Sequence, residues 1–339
     1  MNKNIDQLLN QLFSPLNPKQ IKVLGGRFGF KNGEEMTLQE IGNELGITRE
    51  RVRQIEEQAL KKAAPKVKEE AKSVLEFANT HLASFGGVRR DDVFVREIKN
   101  ALFKNASAKY LDQKIKFIFL AADAPFYEKA SDQAHAFWYV SETAKKNFNN
   151  FTNHLLQIFK EGEKDSLLNK KTYLAHCKDA NADHFLSISK QFGANVFGDF
   201  GLKAWPEIDP KTIRDKAYLV LRKSEKPIHF SDIAKNITNY GIDEKPAHTQ
   251  TVHNELIKDN RFVLVGRGIY GLRERGFEPG TVREVIVRLF KKHGALSSKE
   301  VVGLVNEQRF LKENTILLGL QNRRYFKRLS DGRYHVKEA

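Results

Sequence analysis

Arg49, Glu50, Arg53 and Gln54 fall within the six residues RERVRQ, and each can hydrogen-bond to a base edge or a phosphate. Arginine can donate two hydrogen bonds to guanine O6 and N7, glutamate can accept from cytosine N4, and glutamine can bracket adenine. At helical pitch these side chains share one face with Glu57, opposite Val52, Ile55 and Ala59. The same composition suits an amphipathic surface helix carrying i,i+4 charge pairs, so both readings stand on residue types alone. A second cluster, Arg323, Arg324, Lys327 and Arg328 around Tyr325-Phe326, holds four cations and no base-reading amide. It suits phosphate contact if it sits where a helix meets a wing, and a solvated charge cluster if it does not.

Such side chains reach a groove only from a rigid element. Thr37 can cap a helix with Glu40 closing a capping box, and Leu38, Ile41 and Leu45 form its inner stripe. Gly46 supplies the permissive backbone where that helix stops, and Thr48 caps the next. The pair over Thr37–Ala63 is a helix-turn-helix whose second helix is sized for a major groove. Upstream, Ile5–Phe13 reads as an amphipathic helix, and Asn17-Pro18 opens another over Lys19–Arg27.

The chain has 339 residues, with 57 Lys and Arg against 42 Asp and Glu, a net charge of +15. That balance points to an anionic partner, nucleic acid before membrane, because no apolar run approaches a membrane span. The charge is uneven: residues 1–62 carry 10 basic and 8 acidic groups, net +2, whereas 281–339 carry 13 and 6, net +7. A polar start without a signal peptide and one cysteine, Cys177, imply a reducing cytoplasm and no disulfide framework. His176-Cys177 with His184, and His248 with His253, lack the spacing of common zinc sites. His229, beside Phe230 in an apolar turn, reads as a structural histidine. P-loop, dinucleotide and nucleophile-elbow patterns are absent, so neither metal, cofactor nor enzymatic activity is expected.

Beyond Pro65, taken as the first boundary, one order recurs: three helices and then a two-stranded hairpin, the order of a winged helix. In residues 66–141 the helices are Val67–Phe85, Asp91–Ile98 and Ala106–Ala122, and the hairpin joins Pro125–Lys129 to Ala136–Val140, with Phe137-Trp138-Tyr139 packing it on the helices. Residues 142–207 repeat the order more weakly, with a middle helix over Lys170–Cys177. Residues 208–275 repeat it with Thr212–Leu221, Ser231–Ile237 and His248–Lys258, and a wing turning at Gly266-Arg267-Gly268. Residues 280–339 do so again, with Thr281–Lys292, Ser298–Glu307 and Glu313–Asn322 and a wing tip at Asp331-Gly332. With the helix-turn-helix in 1–64, the expected fold is mainly α with small β wings, in tandem helix-turn-helix and winged-helix domains.

Leu16-Asn17-Pro18, Arg27-Phe28-Gly29, Glu40-Ile41-Gly42 and the run Thr48–Glu56, TRERVRQIE, give the first 63 residues a specific likeness. The segment resembles region 4 of sigma factors of the sigma-70 family, which docks on the flap of RNA polymerase and reads the promoter −35 element. The resemblance implies that Arg49, Glu50 and Gln54 read bases while Thr48, Arg51 and Arg53 lie nearer the phosphates. Regions 2 and 3, which bind and melt the −10 element, find no counterpart in these residues. Lys216–Leu221, Pro227-Ile228-His229-Phe230 and Gly266–Leu272 are similar to the HARE-HTH domain, also present in the polymerase delta subunit.

The expectation is therefore a sequence-specific DNA-binding protein of transcription, acting on double-stranded DNA with RNA polymerase core, cytoplasmic and nucleoid-associated. One alternative is an interaction protein that holds the polymerase flap, its DNA affinity incidental. Another, suggested by the HARE-like segment, is an accessory factor of DNA modification or restriction.

Overall fold

The computed structural model describes residues 5–30, 32–104, 109–162, 168 and 180–337. The helix expected over Lys170–Cys177, and with it His176 and Cys177, lies outside the described residues. The fold is mainly α with small antiparallel β wings, and the chain forms two compact units, Met1–Phe192 and Gly193–Ala339.

The first unit opens with α1 (Ile5–Phe13), α2 (Pro18–Arg27), α3 (Leu38–Leu45) and α4 (Arg49–Glu70). Asn17 and Gln20 close a capping box at α2 around Pro18. The sequence places a break at Pro65, yet α4 runs through it, and residues 67–70 belong to α4 rather than to the next helix. An internal proline costs about 3 kcal/mol of helix stability. Packing overrides it: Ala59, Ala63 and Val67, on both sides of Pro65, are fully buried.

The partner surface comes from α5 (Lys72–Ala83), α6 (Asp91–Leu102) and α7 (Leu111–Ala122). One hydrophobic core joins Leu8, Leu12, Leu24 and Phe28 of the first helices to Ala63 and Val67 of α4 and to Phe94, Ile115 and Ile118. Phe117 is the ring at its centre, 5.3 Å from Phe13, 5.3 Å from Phe28 and 5.6 Å from Phe30. The divide expected between 1–64 and 66–141 therefore has one continuous core running across it.

A strand not foreseen, β1 (Val88–Arg90), pairs with β3 (Phe137–Tyr139), which also pairs with β2 (Phe126–Glu128), in the order β1-β3-β2. Trp138 is fully buried and donates its indole N–H to Asp91 at 2.8 Å. Over this sheet lie α8 (Glu142–Glu161) and α9 (Ala182–Ile188), whose Phe148, Phe185 and Ile188 pack on Val88, Phe137 and Tyr139. A short hairpin, β4 (Phe192–Ala194) with β5 (Phe200–Leu202), follows.

The next helices and strands are α10 (Ile213–Lys223), β6 (Ile228–His229), α11 (Phe230–Asn239), α12 (Thr249–Lys258), β7 (Phe262–Gly266) and β8 (Ile269–Leu272), with strand order β6-β8-β7. The wing turns at Gly268, where φ is 71° and a Cβ would run into the His229 imidazole. His229 caps α11 and meets the Ser231 hydroxyl at 2.8 Å, a structural role.

Last come α13 (Val282–His293), α14 (Ser298–Gln308), α15 (Glu313–Leu320), β9 (Phe326–Arg328) and β10 (Tyr334–Val336). Leu296 bridges to Tyr334 in place of a first strand. Within the second unit, the Phe310 N–H donates to the Val265 carbonyl at 2.8 Å, and buried Arg309 donates to the carbonyls of Glu278 and Gly280 at 2.6 and 3.0 Å. Among the described residues, no helix is long and apolar enough to cross a membrane.

Candidate nucleic-acid interface

The helix-turn-helix is held by local chemistry at each end. The Thr37 hydroxyl accepts the Glu40 N–H at 3.2 Å, and the Glu40 carboxylate accepts the Thr37 N–H at 2.7 Å, which holds the Glu40 carboxyl below the ordinary range. The turn between α3 and α4 is sharp: Gly46 adopts φ 65°, and a Cβ on Gly42 would meet the Ile47 carbonyl oxygen at 2.7 Å. Val23, Ile41, Val52 and Ile55 form the core beneath. Arg27 fixes the angle of α4, bonding Glu56 at 3.1 Å and the Met36 carbonyl at 2.6 Å.

Thr48 caps α4 by accepting the Arg51 N–H at 3.2 Å, which leaves its own hydroxyl proton able to meet a phosphate. Arg49, Glu50, Arg51 and Arg53 are exposed in the first two turns, and Gln54 is half-buried beside them. The structure thus brings the sequence-derived base-reading and phosphate-contacting side chains of this segment together on one solvent face. In the unbound protein they hold one another. Arg53 bridges Glu50 at 2.8 Å and Glu57 at 3.2 Å, and Arg51 donates to Gln54 at 3.1 Å. The Arg53 hydrogen bond lowers the Glu50 carboxyl, and Glu50 in turn raises Arg53. Exposed pairs of this kind are weak and exchange readily for contacts to a ligand.

The third helices of the other modules differ sharply. In α7, Leu111, Ile115, Phe117, Ile118 and Phe119 are buried, and buried Lys114 pairs with Asp6 at 2.5 Å. No groove-binding face remains there. In α12 only Val252 and Leu256 are buried, while Thr249, Gln250, Thr251 and Asn254 are exposed. Gln250 donates to Asn254 at 3.1 Å, a pair of amides of the kind that brackets adenine. Sequence reading passed over these two, although TQTVHN places hydroxyl and amide groups opposite the Val252/Leu256 stripe. On α15 there is no cation, and Leu318 is 71% exposed.

Arg323, Arg324, Lys327 and Arg328 are exposed around the junction of α15 and its wing, Arg324 lying over Tyr325 at 5.7 Å. Among the described residues, no group of three or more His, Cys, Asp and Glu could hold a metal ion. His253 stacks on Phe230 at 4.3 Å instead.

Two segments match known families: residues 12–62 match Sigma-70, region 4, and residues 211–275 match HARE-HTH, the helix-turn-helix domain family named after ASXL proteins and restriction endonucleases. RNA polymerase sigma factor SigA of Clostridium acetobutylicum is 49% identical over 57 residues, 17% of this chain and 15% of that protein. RNA polymerase principal sigma factor HrdD of Streptomyces coelicolor is 46% identical over 52 residues, 15% of this chain and 16% of that protein. RNA polymerase sigma factor RpoD of Neisseria gonorrhoeae is 39% identical over 62 residues, 18% and 10% of the two chains. The chain therefore spans only 10–16% of the length of these curated relatives. No solved structure matches it. Both resemblances carried by the sequence hold, each over its own segment: a sigma-70 region 4 on α2–α4 and a HARE-HTH module on α10–β8.

Proposed function

We propose that this chain is a sigma-like DNA-binding protein of transcription that reads a −35-type promoter element through α4 in concert with RNA polymerase. The observation that carries the reading is the solvent face of the first two turns of α4. Arg49, Glu50, Arg53 and Gln54 stand there on a helix-turn-helix with an intact core, in a segment similar to region 4 of sigma factors. Arg49, Glu50 and Gln54 read base edges, with Thr48, Arg51 and Arg53 on the flanking phosphates. Docking of the same segment on the polymerase flap follows from that likeness. The role needs no catalytic group, and its setting is the nucleoid.

Selection of bound sequences from a random duplex pool, with and without polymerase core, tests the proposal. A motif enriched by the intact protein and lost with Arg49→Ala is the expected result. The burial of α7 favours a second reading for part of the first unit, in which residues 66–141 serve as a scaffold or protein contact. No motif with or without polymerase, but co-purification with core, would make the interaction reading the better account.

A further inference from the structure

We propose that the groove between the end of α15 and the β9–β10 wing is a second nucleic-acid site, which clamps the phosphate backbone of duplex DNA without reading sequence. This site does not depend on what α4 recognises. Arg323 closes the end of α15, Lys327 and Arg328 lie on β9, and Lys337 follows β10; the four line one groove over Phe326 and Tyr334. None of the four meets a carboxylate among the described residues. The nearest acid in the wing, Asp331, is taken by Arg333 at 2.7 Å. Arg328 touches only the Gly332 carbonyl, at 3.4 Å, and the Tyr334 ring, at 5.9 Å. The segment 281–339 that contains them carries 13 basic and 6 acidic groups, net +7.

Uncompensated cations at one rim are an electrostatic footprint for phosphates. The neighbouring helix cannot add base specificity of the usual kind. Glu313, Asn314, Thr315 and Leu318 are its exposed residues, with no Arg, Lys or Gln among them. Duplex is favoured over single strands because the groove offers no free ring for base stacking. Phe326 is buried, and Tyr334 is half-buried with Arg328 over it.

The test uses the full chain and a random-sequence duplex, so that it does not rely on α4. In the variant Arg323→Gln/Lys327→Gln/Arg328→Gln, three lost phosphate contacts should lower the slope of log K against log salt by about 2.7 units. The loss should be equal for every duplex sequence. A charge-matched variant, Lys291→Gln/Lys292→Gln/Lys312→Gln, should change the slope by less than half as much, with circular dichroism confirming that both fold. An unchanged slope in the first variant overturns the proposal. So does an equal fall in both, which would assign the affinity to diffuse net charge. A fall seen only with single-stranded RNA of the same length overturns the duplex assignment.

Discussion

Residues 72–139 and 213–272 share one order of elements, helix, strand, two helices and two strands, and one strand order, with the last strand in the middle. Their third helices nevertheless have opposite fates. In the first, α7 is packed on several sides by α1, α4 and α6, and even its Lys114 is buried against Asp6. In the second, α12 rests on Val252 and Leu256 alone and turns its hydroxyls and amides to solvent. The comparison teaches that a winged-helix topology does not by itself make a DNA reader. What decides is whether another element has claimed the exposed face of the third helix.

The largest expected effect tests that claim directly. Phe117→Ala on α7 should cost about 3–5 kcal/mol, because it opens a cavity among Phe13, Phe28 and Phe30. Asn254→Ala at the corresponding surface of α12 should change stability by about 0.5 kcal/mol or less. Urea titrations of both variants, followed by far-ultraviolet circular dichroism and tryptophan fluorescence, measure the contrast. Equal, small effects would break the comparison.

The next effect concerns the helix left free in the first unit. Arg49→Ala should cost about 1–3 kcal/mol on the preferred site and relax preference at one base pair. Arg53→Ala should weaken all duplexes alike and lower the salt slope by about 0.9, one phosphate's worth. Binding to a set of single-base-pair variants separates them. A uniform loss for Arg49→Ala would show that α4 does not read sequence.

The smallest effect sharpens the contrast at the sheet. Arg89 pairs with Glu97 at 2.6 Å and donates to His184 Nδ1 on α9 at 2.6 Å, so that ring must stay neutral there. Burial, and then the Arg89 charge, push the His184 pKa down. The unfolded chain therefore takes up the proton first. Stability is intact above the ordinary histidine value of about 6.5 and declines as pH falls below it. His184→Gln should flatten the thermal midpoint between about pH 6.5 and pH 5. An unchanged pH profile would mean that α9 does not lock this sheet through His184.

Much of this architecture was legible in residue order because its signals are local. The capping box at Thr37, the glycine at 46 and the stripe Leu38, Ile41, Leu45 specify α3 and its turn within a single short stretch. The face of α4 followed from the same periodicity, so the placement of Arg49, Glu50 and Arg53 needed no tertiary information. What escaped is non-local. Pro65 looks like a stop signal until the burial of Ala63 and Val67 is known. Strand β1 has three residues and little alternation to betray it. Asp112, Gln113, Lys114 and Lys116 give α7 the look of a half-exposed helix, and only the approach of α1 and α4 reveals that Lys114 is covered. The amides of α12 were visible, but nothing in the sequence said that their face stays open.

The unbroken course of α4 bears on how this protein could be taken apart or assembled. Residues 12–62 are the portion shared with sigma factors, yet the helix that begins there continues to Glu70 and is seated on α7. A fragment cut at the edge of the similarity would end about four turns into α4. It would strip Phe117 from Phe13, Phe28 and Phe30 and remove Val67 altogether. The segment that looks most portable between proteins is thus the least separable here. A graft intended to transplant its recognition helix would need to carry α5 to α7 as well.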